Sequence, residues 1–336
     1  MKKPIALLIF LSLALLCAAC SQAPTAPPTE QQPPAEQTAP PADIRIGALK
    51  GPTAMGMVKM MEDNDDGLLT DNNYSFTVAA AIDEVTPAIA QGELDIAAVP
   101  ANLSSVLYNN DSVDVQVLAI NTLGVLYIVG SDDSVQNISD LEGKTIYASG
   151  KGATPEYALQ YILAGNGLSG KVTLEWLPEH AACVAALLND PDGIAMLPQP
   201  FVTTAQAQNE NLRTVLDLTA EWDALQKDGA PGALITGVIV ARAEFVRDNP
   251  EAVNAFLDHY RDSVAFANSG VPAAAALMEK YDIVPAAVAE KALPFCNIVF
   301  IDGAEMKEKL SGYLAALMEQ NPQAVGGVLP ADDFYY

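Results

Sequence analysis

The chain has 336 residues, half of them hydrophobic, and sets 42 acidic against 17 basic side chains for a formal net charge of −25. That balance excludes a nucleic-acid binder and a protein held on anionic lipid by charge, because both need a basic face that displaces counterions. It also means that an anionic ligand must be held by local dipoles against the field of the whole chain.

Residues 1–20 read as a secretory leader. Lys2 and Lys3 precede an apolar run over residues 5–16, too short for a comfortable membrane span, and Ala18-Ala19-Cys20 follows. Small residues before a cysteine, with Ser21 after it, resemble a bacterial lipobox in which Cys17 stands where leucine is usual, so Cys20 is expected to become the lipidated N-terminus. The Cys17 and Cys20 spacing is accordingly read as targeting and not as a redox pair. Residues 21–43 hold seven prolines and no Ile, Leu, Val or aromatic side chain, a composition that builds no core and reads as an extended tether.

From Ile44 onward strand and helix signals alternate, which predicts an α/β fold. A first strand runs to Leu49, the loop Lys50-Gly51-Pro52-Thr53-Ala54 follows, and Met57, Val58, Met60 and Met61 mark a core-facing helix. Residues 62–66 read as an acidic exposed turn and residues 74–81 as a second strand. A third strand over 94–99 ends at Pro100-Ala101-Asn102, where Asn102 is placed to cap the next helix and face a cleft. Residues 113–119 and 124–129 are apolar and β-branched, and Asn121-Thr122 between them marks the crossover into a second lobe.

That second lobe centres on residues 144–156, a short strand, a glycine turn and a helix. Thr154 reads as the N-cap, Pro155 as the first helical residue and Glu156 as a charge at the positive end of the dipole, with Ala158, Leu159, Ile162 and Leu163 at helical spacing. The loop Ser149-Gly150-Lys151-Gly152-Ala153-Thr154 therefore presents backbone N–H groups and two hydroxyls at a helix N-terminus, an arrangement suited to an anionic or strongly polar group. Segment 46–53 aligns without gaps on 147–154, matching Lys50, Gly51 and Thr53 with Lys151, Gly152 and Thr154, and segment 92–100 resembles 191–198. These pairs predict a duplicated β-α-β-α-β-α unit with the ligand between the copies.

Strands over 172–177 and 193–197 and a helix over 179–188 continue the second lobe. Pro198-Gln199-Pro200-Phe201 then puts a turn at the carboxyl edge of the sheet, where ligands of open α/β sheets bind. Residues 234–240 are the strand on which the chain crosses back, and Asn249-Pro250-Glu251 starts a helix with Val253, Phe256, Leu257 and Tyr260 on one face. Helices over 272–281, 285–292 and 303–319 complete the first lobe, with the tail 334–336 on its surface. The expected organisation is a leader over 1–20, a tether over 21–43, a first lobe from 44–123 and 236–336, and a second lobe over 124–235. Cys183 and Cys296 are expected buried and reduced.

Catalytic patterns are weak. Gly150-Lys151-Gly152 fits neither a phosphate loop nor GxGxxG, because Pro155 stands where the last glycine belongs, and neither GxSxG nor HExxH occurs. His180 and Cys183 sit one helical turn apart without further clustered ligands, so no metal and no cofactor is expected.

Several segments together resemble the solute-binding proteins of ABC transporters for nitrate, sulfonate and taurine, the NMT1/THI5-like group. They are Ile44-Arg-Ile-Gly47, residues 90–98, Asp140-Leu-Glu-Gly-Lys-Thr-Ile146, residues 150–156, Leu197-Pro-Gln-Pro-Phe201 and residues 245–251. The resemblance implies a type II periplasmic-binding-protein fold of two lobes, each a mixed sheet flanked by helices, that closes on a small organic anion. It further implies a monomeric, extracytoplasmic lipoprotein that is not an enzyme and that delivers its solute to an ABC permease and ATPase. Gly51, Pro52, Thr53, Ala54 and Asn102 from one lobe and Ser149, Lys151, Gly152, Ala153, Thr154, Gln199 and Pro200 from the other are the expected ligand-binding residues. Tyr127, Tyr147, Tyr157, Trp176 and Trp222 are the aromatics able to stack on a flat ligand. The alternatives are a receptor for a planar heterocycle such as a thiamine pyrimidine precursor, or a solute-sensing subunit. Fungal relatives that make such a pyrimidine carry a cysteine-rich motif, which this chain lacks.

Overall fold

The computed structural model describes residues 41–110, 113–131, 133–226 and 232–336. The leader, Cys20 and the tether up to residue 40 lie outside the described residues. The chain first forms β1 (Ala42–Leu49), α1 (Pro52–Met55), α2 (Val58–Asp65), β2 (Asn72–Ala79), α3 (Ile82–Ala90), β3 (Ile96–Pro100), α4 (Ala101–Tyr108) and β4 (Val115–Leu123). A second run follows with β5 (Leu126–Gly130), β6 (Thr145–Ala148), α5 (Thr154–Gly165), β7 (Thr173–Trp176), α6 (His180–Asn189), β8 (Ile194–Pro198), α7 (Phe201–Gln208), β9 (Arg213–Asp217) and α8 (Leu218–Leu225). The return segment contains β10 (Ile235–Arg242), α9 (Ala243–Asp248), α10 (Pro250–Ser269), α11 (Val271–Lys280), α12 (Ala286–Ala292), β11 (Ile298–Ile301) and α13 (Gly303–Gln320). Among the described residues no helix is long and apolar enough to cross a membrane.

These elements build two sheets flanked by helices. The first has the order β11-β4-β10-β3-β1-β2 and the second β7-β6-β8-β5-β9. In each, three parallel strands are flanked by an antiparallel strand, β10 beside β3 in one and β5 beside β8 in the other, so the topology repeats. β3 and β8 are buried on both faces, as their unbroken apolar runs require.

The strand registers correct the gapless alignment of the two halves. Ile46 lies opposite Ile96 and Ile146 opposite Ile194, so Ile46 corresponds to Ile146 and not to Tyr147. A slip of one residue would turn every side chain to the wrong face of its sheet, and the difference is absorbed in the loops, residues 50–51 after β1 and 149–153 after β6.

Met55, Met57, Val58 and Met60 are buried with Phe256 and Tyr260 of α10 in one core cluster. A larger cluster runs through both sheets, from Val99 and Ile120 to Ile128 and Ile146, and α13 joins it through Tyr313, Leu314 and Leu317. The Trp222 ring of α8 packs 5.5 Å from Tyr313 and 4.3 Å from Tyr161. α13 therefore packs on elements of both sheets instead of merely completing the first lobe.

Other boundaries also differ from expectation. β1 begins at Ala42, inside the expected tether, because residues 42–49 pair along the whole of β2. Residues 62–65 are the end of α2 and not a turn, where Lys59 pairs with Asp63 and Lys280 with Glu62. Asn121 and Thr122 are fully buried inside β4, and the crossover is the short step at Gly124, whose Cβ would stand 2.1 Å from Thr219 Oγ1. The tail is not superficial: Phe334 is fully buried, 5.1 Å from the Tyr108 ring, and the Tyr336 N–H donates to Val117 O. β9, α8 and β11 are additions to the expected elements. Cys183 and Cys296 are free and buried, as expected.

Candidate functional site

The first loop follows from its glycine. Gly51 adopts φ 121°, a conformation L side chains rarely adopt, and so lets the chain leave β1 and enter α1 at Pro52. Its polar groups are then consumed locally: Thr53 Oγ1 donates to Leu49 O at 3.0 Å, the Ala54 N–H to Gly51 O at 3.1 Å, and Asn121 Nδ2 to Thr53 O at 3.4 Å. Lys50 turns outward and pairs with Asp282 at 2.7 Å.

The second loop uses Gly150 and Gly152, both with positive φ, to reach α5. Ala153 occupies the N-cap position, with Thr154 and Pro155 as the first two helical residues, one step earlier than expected. The reason is a better partner elsewhere. Thr154 is fully buried, and its hydroxyl donates to Asn102 Oδ1 at 3.3 Å while accepting from the Tyr313 hydroxyl at 3.2 Å. The Gly152 N–H donates to the Glu156 carboxylate at 2.6 Å and the Ala153 N–H to Gly150 O at 3.1 Å. Two of the backbone donors expected for a ligand, at residues 54 and 153, are thus already engaged.

Asn102 is likewise not a cap. Pro100 takes that position, and the fully buried Asn102 amide donates to Ala324 O at 3.1 Å and to Gly152 O at 3.4 Å. Ser105 donates to Val325 O at 2.8 Å, and Asn109 to Val325 O at 2.8 Å and Val328 O at 2.7 Å. One stripe of α4 therefore grips the main chain of residues 324–328, and with Thr154 and Tyr313 it forms a sealed polar clasp across the two sheets.

Ser149 is buried, and its hydroxyl lies 2.6 Å from His180 Nδ1 at the start of α6. Burial pushes His180 down to about 4, so it is neutral at pH 7. Burial also raises the Cys183 thiol, against a hydrogen bond from Ser149 that lowers it. Lys151 and Gly152 are exposed, and Pro200 precedes α7.

Of the expected binding residues, only Gln199 lines an open cavity of about 760 Å³ between α7 with the β5–β9 edge on one side and α12 with the turn after it on the other. Its base holds Tyr127, Gln199 and Thr203, all nearly buried, and its rim carries Glu210, Asp217, Lys291 and Phe295. Gln199 Oε1 accepts from the Thr203 N–H at 3.3 Å and from its hydroxyl at 2.9 Å, which fixes the side chain. The Tyr127 hydroxyl donates to Phe295 O at 3.2 Å and joins the two walls, and burial pushes it up to about 12, so it stays a neutral donor. Among the other aromatics considered, Trp222 is core and Tyr147 donates to Asp190 at 2.9 Å. Sequence reasoning missed Thr203, Glu210, Lys291 and Phe295. Phe295 is 56% exposed just after α12, which only the structure shows.

In fold, the chain is similar to a solved ABC transporter structure from Parabacteroides distasonis, with a TM-score of 0.73 and 22% identity over 87% of this chain and 98% of that one. The periplasmic aliphatic sulphonate binding protein SsuA from Escherichia coli matches with a TM-score of 0.69 and 18% identity over 88% and 91%. The periplasmic nitrate-binding protein NrtA from Synechocystis PCC 6803 matches with a TM-score of 0.64 and 13% identity over 86% and 83%. No curated protein sequence matches. These likenesses establish the two-lobe fold of periplasmic binding proteins that the motifs led us to expect. A family model described as menaquinone biosynthesis matches residues 44–307, from within β1 into α13, and the chain belongs to that family.

Proposed function

We propose that the chain is an extracytoplasmic solute-binding lipoprotein, anchored through Cys20, that captures a small organic anion by lobe closure and hands it to an ABC permease. The observation that carries this reading is the cavity with one wall from the second sheet and α7 and the other from α12 of the return segment, in a fold shared with a sulphonate-binding and a nitrate-binding protein. A solute that touches both walls stabilises the closed arrangement by its differential affinity for it. On this reading the protein binds and releases its solute unchanged.

The family description supports a second ligand class. Menaquinone carries a fused aromatic ring system, and Tyr127 and Phe295 in the cavity suit a planar ring better than a nitrate-sized ion. Native mass spectrometry of the purified protein, followed by thermal-shift assays with alkyl sulfonates, nitrate and aromatic carboxylates, tests both. A receptor gives a mass adduct, or a melting temperature that rises with the logarithm of solute concentration. Silence from every solute would remove the receptor reading.

A further inference from the structure

We propose that the cavity between α7 and α12 recognises a zwitterionic solute, its anionic group held at Lys291 and its amine at Glu210, with a flat apolar body lying against Tyr127 and Phe295. This rests on the receptor reading and narrows its ligand class.

The argument starts from scarcity. The other basic side chains among the described residues are engaged, in ion pairs or, for Lys144, in a hydrogen bond to Ser134; Lys151 and Lys291 are the exceptions. Lys151 stands on the sealed loop, whereas Lys291 stands on the cavity rim. In a chain this acidic, an ammonium without a partner beside a cavity is, among the described residues, the one positive charge in the lining that a bound anionic group meets.

The opposite wall carries Glu210 and Asp217. Asp217 is partly occupied, since its carboxylate accepts from the Thr219 N–H at 2.9 Å as the cap of α8, while Glu210 makes no hydrogen bond or ion pair to the described residues. The lining thus sets two carboxylates against one ammonium. A plain anion is attracted at one end and repelled at the other, and a dianion is repelled more, whereas an amine at the far end turns the repulsion into a second contact.

The neutral groups complete the lining between the two charges. With Gln199 Oε1 taken by Thr203, the amide nitrogen remains as a positioned donor at the base. The Phe295 ring is largely exposed at the rim, and a bound ring would cover it. Lys291 and Phe295 come from the return segment, while Glu210, Gln199 and Tyr127 come from the second sheet and α7, so each end of the solute ties a different wall.

Isothermal titration of the full chain with three probes of one shape tests this: 4-(aminomethyl)benzoate as the zwitterion, 4-methylbenzoate as the monoanion and terephthalate as the dianion. The zwitterion should bind about tenfold more tightly than the monoanion, with terephthalate weakest. Lys291→Met should weaken both benzoates about tenfold, and Glu210→Gln should abolish the preference for the amine without weakening 4-methylbenzoate. Terephthalate binding most tightly, or a loss at Lys151→Met with none at Lys291→Met, would overturn the proposal while leaving the receptor reading intact. If none of the three binds, the proposal falls; the receptor reading then falls with it only if the wider solute panel is silent too.

Discussion

Two regions lie between the sheets, and their polar groups are spent differently. At the clasp, Asn102, Thr154 and Tyr313 are fully buried and satisfy one another and the main chain. At the cavity, Lys291 and Glu210 are exposed and unpaired among the described residues, over a base of positioned Tyr127, Gln199 and Thr203. The lesson concerns where binding capacity resides. A helix N-terminus where the Ala153 N–H and the Thr154 hydroxyl are already bonded to protein holds structure, and a ligand there would have to displace those bonds, whereas Lys291 and Glu210 have only water to give up.

The sharpest way to break this contrast is acid. His180, tied to Ser149 behind the sealed loop, is held at about 4, below its unfolded value near 6.5. The unfolded chain therefore binds the proton first, so this contribution is present above pH 6.5, drains away as pH falls to 4 and is flat below. The full effect is at most about 3 kcal/mol. Urea midpoints at pH 7 and pH 4.5 should fall less for His180→Gln than for the parent chain; parallel falls would mean that His180 is not buried in its neutral form. Next in size, Asn102→Ala should cost about 2 kcal/mol, because Thr154 and Ala324 O lose a partner in a dry seam. Its mark is a lower denaturation midpoint with an unchanged slope.

Tyr313→Phe keeps the packing on Trp222 and removes one hydroxyl contact, at a cost of about 1 kcal/mol by the same assay. Smallest of all, Lys291→Met should change stability by less than about 0.5 kcal/mol. A large loss there would place Lys291 in the structure and erase the distinction between the two regions.

Much of the fold was legible because its signals are local. Apolar runs marked β3, β8 and β10, and Asn249-Pro250-Glu251 marked the start of α10. β9 escaped because it is a half-exposed strand with Leu216 as its one buried residue, too little for an alternation to show. The site was less legible for a different reason. Asn102 looks like a cap from its neighbours, but its acceptors are carbonyls at residues 152 and 324, which no local pattern announces. Lys291 in α12 looks like any solvent lysine, since its interest lies in the partner it lacks and in the cavity that a distant helix builds beside it.

The stripe of Asn102, Ser105 and Asn109 grips main-chain carbonyls and no side chain of the segment it holds. That asymmetry sets different tolerances for substitution on the two sides. Every residue type offers the same carbonyl, so exposed positions such as Gln323 and Val328 are free to drift, within the size limit of the buried Ala324 and Val325. On α4 the identity of the amide and hydroxyl donors is the whole interaction. A library randomised on both sides should therefore recover varied residues at 323 and 328, glycine at the positive-φ positions 326 and 327, and nearly fixed residues on the helix.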